Sequence, residues 1–126
     1  STRKESSAAS DVYKRQSTTR KEDLTHRFYT LMMDNYREHK EVIFYADKLH
    51  VSSKYLSEVV KETSGKSPKD WIIDYSLLEI KELLKNSSLN IQEITIRTKF
   101  LNQSALGRFF KRHTNMSPSE YRESTY

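Results

Sequence analysis

Apolar residues near the start of the chain recur every three or four positions. Leu24, Phe28, Leu31, Met32 and Tyr36 fall on one helical face, so the spacing predicts an amphipathic helix over residues 23–38 with Asp23 as its N-cap. A short helix over roughly 42–49 follows, then a turn at His50-Val51-Ser52, then a helix over about 53–63 that buries Leu56, Val59 and Val60. From Pro68 to about Asn86 the residues Trp71, Ile72, Tyr75, Leu78, Leu83 and Leu84 give a longer helix apolar surface along most of its length. A second short helix over about 91–98 carries Ile91 and Ile94 inward, opened by Asn90 and Glu93 as a capping box. After a turn at Lys99-Phe100-Leu101, a helix over about 103–113 presents Leu106, Phe109 and Phe110, and a closing helix from Pro118 buries Tyr121.

The same pattern has been written twice. The only prolines stand fifty residues apart, in Ser67-Pro68-Lys69-Asp70-Trp71 and Ser117-Pro118-Ser119-Glu120-Tyr121, each reading as Ser N-cap, Pro at the first helical position and a carboxylate at the third. Three residues before each proline stands Gly65 or Asn115, residue types suited to the left-handed conformation that closes a helix. At that offset Leu56 pairs with Leu106, Val59 with Phe109, Val60 with Phe110 and Lys61 with Lys111. Further upstream the offset falls to forty-nine, pairing Tyr45 with Ile94, Ala46 with Thr95 and Val51 with Phe100. One residue has been inserted, and a turn tolerates that where a packed helix does not, which places turns near 52–54 and 101–104. The expected fold is all-α: two helix-turn-helix subdomains joined by a long linker helix, about seven helices in all. Its parts are a disordered tail or linker over 1–22, a first subdomain over 23–66, the linker helix over 67–88 and a second subdomain over 89–126.

Composition agrees and excludes several alternatives. Two glycines, two prolines and 31% charged residues disfavour an all-β chain. The absence of Cys rules out a disulfide scaffold and Cys-ligated zinc, and suits a reducing cytoplasm. No apolar run is long enough to span a bilayer, and residues 1–22 have no hydrophobic centre for a signal peptide, so no membrane partner is expected. Those residues hold too little apolar side chain to build a core and read as a native linker or as sequence foreign to the fold.

The formal charge of +5 is unevenly spread. Residues 1–22 contribute +3, 23–40 and 41–70 are each neutral, 71–90 carry −1 and 91–126 carry +3. Bulk charge is therefore a weak argument for nucleic acid, and the placement of cations has to carry it. His26, His39, His50 and His113 are scattered without the i, i+4 pairing that metal sites favour, and neither a Gly-rich phosphate loop nor a nucleophile-base-acid order can be read. No metal, no cofactor and no catalytic residue is expected, and the chain is not read as an enzyme.

A short helix, a tight turn and a longer helix is the arrangement that lays its second helix in the DNA major groove. In the first copy Ala46 is small where two helices cross, and His50 stands where the turn wants a positive φ. From about residue 24 to the end, the chain resembles the DNA-binding domain of AraC/XylS-type transcriptional regulators. The residues that carry the resemblance are Phe44-Tyr45-Ala46-Asp47-Lys48-Leu49 with Tyr55-Leu56-Ser57, and Gly107-Arg108-Phe109-Phe110-Lys111-Arg112-His113 leading into Met116-Ser117-Pro118-Ser119-Glu120-Tyr121-Arg122. The resemblance implies paired recognition helices in neighbouring major-groove segments of double-stranded DNA. A linker helix of 19 residues would be about 28 Å long at ~1.5 Å per residue, compatible with grooves repeating about every 34 Å.

Carried over residue by residue, the resemblance puts Lys54, Ser57 and Glu58 of the first recognition helix and Gln103, Ser104 and Arg108 of the second against base edges. Asn102 would sit near the backbone at the start of the second helix. Arg can pair guanine and Gln adenine with two hydrogen bonds each, while the Glu58 carboxylate can only accept, for instance from a cytosine amino group. Exposed Lys61, Lys66, Lys111 and Arg112 are the candidates for phosphate contact. Two residues depart from the family: Lys99 and Thr95 replace its usual Gly and Ala, so the second turn is expected to be strained or slightly opened. The resemblance further implies a sensing or dimerising domain preceding this region in the longer protein, the fragment alone being monomeric. The alternative reading is a helical protein-interaction module that contacts RNA polymerase or a sensor domain.

Overall fold

The computed structural model describes residues 19–125. Seven helices make up the regular structure among them: α1 (Arg20–Asn35), α2 (Val42–Lys48), α3 (Ser53–Ser64), α4 (Pro68–Asn86), α5 (Ile91–Arg97), α6 (Gln103–Thr114) and α7 (Pro118–Glu123).

α1 begins earlier than the apolar spacing implies. Its cap is Thr19, not Asp23: Thr19 Oγ1 accepts from the Glu22 N–H at 3.0 Å, and Glu22 Oε1 accepts from the Thr19 N–H at 3.0 Å. This reciprocal box satisfies two amides that the helix start would otherwise leave unpaired. Residues 20–22, expected in the disordered tail, are thus helical, and Lys21 reaches Glu62 at 3.2 Å. The remainder of the expected tail, residues 1–18, lies outside the described residues. α1 stops at Asn35 instead of 38, because the chain turns there and the N–H groups of both Glu38 and His39 donate to the Asn35 carbonyl.

The chain forms two compact units. Among the described residues, one takes 19–34 together with Glu41–Pro68, and the other takes Asn35–Lys40 and 69–125. In the first, Leu24, Phe28 and Met32 of α1, Tyr45 and Ala46 of α2, Leu49, and Leu56, Val59 and Val60 of α3 are buried. Phe28 meets Tyr45 edge-on, with ring centroids 5.4 Å apart, and α2 packs on α3. Removing each of the larger aliphatic side chains or Phe28 from water contributes about 1.5–3 kcal/mol. Burial pushes the Tyr45 hydroxyl well above its ordinary pKa, and Glu41 adds to the shift.

In the second unit Ile80 and Leu84 of α4, Ile94 of α5, and Leu106 and Phe110 of α6 form the buried core, with Leu77, Leu83, Leu89, Ile91, Phe100, Phe109 and Tyr121 packed around it. The Asn35–Lys40 segment is fastened to this unit. Arg37 donates from Nε to Glu79 Oε2 at 2.7 Å and places Nη2 on the same oxygen. Lys40 Nζ lies 4.5 Å from the centre of the Phe100 ring. The hydrogen bond to Glu79 holds the Arg37 guanidinium above its usual pKa.

The chain's end is tied to α4 in the same unit. Arg122 donates from Nε to the Leu84 carbonyl at 2.8 Å and from Nη2 to those of Leu83 at 3.2 Å and Ser87 at 3.5 Å. Lys85 Nζ donates to the Ser124 carbonyl at 2.6 Å. A cation at the C-terminal end of a helix meets carbonyls that lack intrahelical partners and the negative end of the helix dipole.

Candidate nucleic-acid interface

The turn between α2 and α3 and the turn between α5 and α6 share one hydrogen-bond pattern. The N–H of Leu49 donates to Tyr45 O and that of Thr98 to Ile94 O, both at 2.9 Å. His50 N–H donates to Asp47 O and Lys99 N–H to Ile96 O, both at 3.2 Å. Val51 N–H donates to Ala46 O at 3.0 Å and Phe100 N–H to Thr95 O at 3.1 Å. His50 and Lys99 take positive φ angles of 61° and 66°. The second turn is therefore strained at its lysine but not opened, the first of the two outcomes expected of it. Lys99 adopts the left-handed conformation at a local cost of about 1–2 kcal/mol. Thr95 fits where the first copy has Ala46 because its hydroxyl donates back to the Ile91 carbonyl at 2.8 Å and so is not left unpaired in the core.

The inserted residue can now be named. In the first copy Ser52 follows Val51 directly and caps α3, its Oγ accepting from the Tyr55 N–H at 3.0 Å. In the second copy Leu101 stands between Phe100 and the cap of α6, Asn102, whose Oδ1 accepts from the Ala105 N–H at 2.8 Å. Leu101 is 90% exposed, so the extra residue was accommodated without disturbing either flanking helix.

Each capped helix buries one face and exposes the other. α3 buries Leu56, Val59 and Val60 and exposes Lys54, Glu58 and Lys61 along a stripe at i, i+4 and i+7, with Ser57 half-buried beside them. Lys66 is exposed just beyond Gly65, which ends α3 with a φ of 87°. α6 buries Leu106 and Phe110 and exposes Gln103, Ser104, Arg108, Lys111 and Arg112. Phe109 is only half-buried, its ring 5.2 Å from Phe100 and 4.9 Å from His113.

On α6 the exposed residues converge. Ser104, Arg108, Lys111 and Arg112 line an open concavity of about 670 Å³ with Gly107, Ser117 and Pro118. Gly107 leaves space in it, since a Cβ there would meet nothing within 4 Å. Its far side is held by the start of α7, where Ser117 Oγ accepts from the Glu120 N–H at 3.1 Å and Glu120 Oε1 accepts from the Ser117 N–H at 2.7 Å. The Ser117 N–H donating to it, with the Ser117 hydroxyl and Lys111 adding to the effect, holds the Glu120 carboxyl below its usual pKa. Three cations around a shallow hollow offer an anion charge-assisted hydrogen bonds.

Gln103 does not line that hollow. Its Nε2 donates to Oε1 of Gln92 on α5, at 2.7 Å. Asn102 spends its side-chain oxygen on the helix cap. The two copies also differ chemically at matching positions: Lys54 answers to Ser104, Ser57 to Gly107 and Glu58 to Arg108, while Lys61 and Lys111 are alike.

Periodicity in the sequence placed the exposed faces but missed Gln92, whose only signal is a contact across the turn to a residue eleven positions on. Among the described residues no group of His, Cys, Asp or Glu is arranged to hold a metal ion, and no helix is long and apolar enough to cross a membrane.

The helix-turn-helix domain family matches residues 45–124. The chain is 32% identical over 77 residues to the uncharacterized HTH-type transcriptional regulator YobQ of Bacillus subtilis, covering 61% of this chain and 32% of that protein. It is 31% identical over 78 residues to the Msm operon regulatory protein of Streptococcus mutans, covering 62% and 28% respectively. The chain thus spans about three-tenths of the length of these relatives. Among solved structures, the C-terminal domain of AraT, a response regulator from Geobacillus stearothermophilus, is similar with a TM-score of 0.73 and 25% identity, covering 86% of this chain and 93% of that one.

Proposed function

The chain belongs to the AraC/XylS-type family of helix-turn-helix transcriptional regulators, and from that premise we propose that it serves as the DNA-binding output domain of such a regulator. It binds double-stranded DNA sequence-specifically, with α3 and α6 as recognition helices, each in its own major-groove segment. The observation that carries this reading is the recurrence of one turn, bond for bond within 0.1 Å, each time followed by a separately capped helix with an exposed polar face.

Lys54, Ser57 and Glu58 on α3 and Gln103, Ser104 and Arg108 on α6 are the base readers of this proposal. Lys61, Lys66, Lys111 and Arg112 hold phosphates, and Asn102 contributes its amide nitrogen as a donor. The chain acts by binding and carries no reaction of its own. It works in the cytoplasm, as a monomer in isolation, and the longer protein dimerises through another domain and contacts RNA polymerase.

Fluorescence anisotropy on a duplex selected from a random pool tests the reading. Arg108→Ala should weaken the selected site far more than random DNA, whereas Lys111→Ala should weaken both and lower the slope of log affinity against log salt by about 1. Absence of salt-dependent binding to any duplex would overturn the reading in favour of a module that contacts RNA polymerase or a sensor domain.

A further inference from the structure

Gln103 is the first residue of α6, and its backbone position is set by the Asn102 cap. Its amide is set by something else. Gln92 stands on α5, which is anchored by the reciprocal Asn90–Glu93 box, with both hydrogen bonds at 2.8 Å, and by the fully buried Ile94. Both glutamines are exposed, and yet Gln103 Nε2 donates to Gln92 Oε1 at 2.7 Å.

That bond has a chemical consequence. A free glutamine amide can turn over and offer a base edge either its two N–H donors or a donor beside an acceptor. Guanine presents two acceptors, N7 and O6, in the major groove, whereas adenine presents one acceptor, N7, beside the N6 amino donor. With one N–H committed to Gln92, Gln103 keeps one N–H and its Oε1, which complements adenine and no longer supplies guanine with two donors. We infer that Gln92 is a positioning residue for specificity: it fixes the Gln103 amide so that this position of the target is read as adenine in preference to guanine. The inference rests on the reading of α6 as a recognition helix.

Selection of duplexes from a random pool, followed by competition titrations against single-base variants of the selected site, tests it. In the wild type one position should prefer adenine over guanine, and Gln103→Ala should erase that preference. Gln92→Ala should reduce the adenine-to-guanine ratio at the same position by about 5-fold, the worth of one ordinary hydrogen bond, with affinity for random DNA and the salt slope unchanged. Combined with Gln103→Ala it should add nothing further. Gln92→Glu keeps an acceptor for the Gln103 N–H, so it should preserve the ratio while lowering affinity for every sequence through its charge. A wild type that selects a site in which Gln92→Ala leaves the ratio intact, or weakens all sequences alike, overturns the inference and leaves the DNA-binding reading standing. A wild type that enriches no sequence overturns that reading itself.

Discussion

Replacing Arg122 with Ala removes the side chain that closes the C-terminal end of α4. Two of its three hydrogen bonds, at 2.8 Å to Leu84 O and 3.2 Å to Leu83 O, have good geometry, and the third, at 3.5 Å to Ser87 O, is marginal. Each good bond from a charged donor contributes about 1.5–3 kcal/mol, and the helix dipole adds about 0.3–1 kcal/mol. Ordering the arginine costs up to about 2 kcal/mol, and the released carbonyls rehydrate in the half-buried site. The expected net loss is about 2 kcal/mol, which for a unit of this size lowers Tm by about 8–16 °C. The sole tryptophan, Trp71, lies in the same unit, half-buried with its ring 6.3 Å from that of Tyr75, so its fluorescence follows the transition. Arg122→Lys keeps the charge but cannot fork to two carbonyls, and it should recover less than half of the loss. A shift under about 4 °C for Arg122→Ala would mean that water replaces the arginine at no cost. Full recovery by Arg122→Lys would mean that charge alone matters.

Gly107→Ala should stabilise α6 by about 0.5–1 kcal/mol, because a mid-helix glycine is costly and its added Cβ meets nothing within 4 Å; a lower Tm would refute the open space seen there. The Ser76 hydroxyl is buried in α4 without a hydrogen-bond partner among the described residues, so Ser76→Ala should be neutral or stabilising by up to about 1 kcal/mol in a urea titration. Glu120 has a folded-state pKa below the ordinary value of a glutamate carboxyl. Its contribution to stability is complete above that value and is lost as pH falls through the lower folded value. Glu120→Gln should therefore flatten the acid limb of the stability–pH curve below about 4.5, and an unchanged limb would place the acid sensitivity elsewhere.

How much of this was legible in sequence depended on whether a residue's role is local. Pro68 and Pro118 mark helix starts, and Gly65, Asn115 and His50 take the left-handed conformation expected of them. The capping boxes at Asn90–Glu93 and Ser117–Glu120 also form as the spacing implies. The first turn of α1 escaped because Arg20, Lys21 and Glu22 bring no apolar signal, and the Thr19 box and the Lys21–Glu62 ion pair hold them. Non-local ties escaped altogether. A 3.6-residue period says which face of a helix is buried, but not that Arg122 reaches α4 or that Arg37 reaches Glu79. Lys99 was legible in part: its side chain argued for a strained or opened turn, and it takes the strained φ while the hydrogen bonds keep the turn closed.

The copies match in the hydrogen bonds of their turns and differ where they would meet bases, and on the proposed reading that difference would give the chain a sense of direction. Two identical heads related by symmetry read a palindrome and sit on it equally well either way round. Here one head offers Lys54, Ser57 and Glu58, and the other offers Ser104, Gly107 and Arg108 at matching positions. On the proposed reading, reversing the chain on its target would set Glu58 against the guanine meant for Arg108, two acceptors facing each other. On that reading a single copy would distinguish the two orientations of its target, and the target would need no mirrored halves.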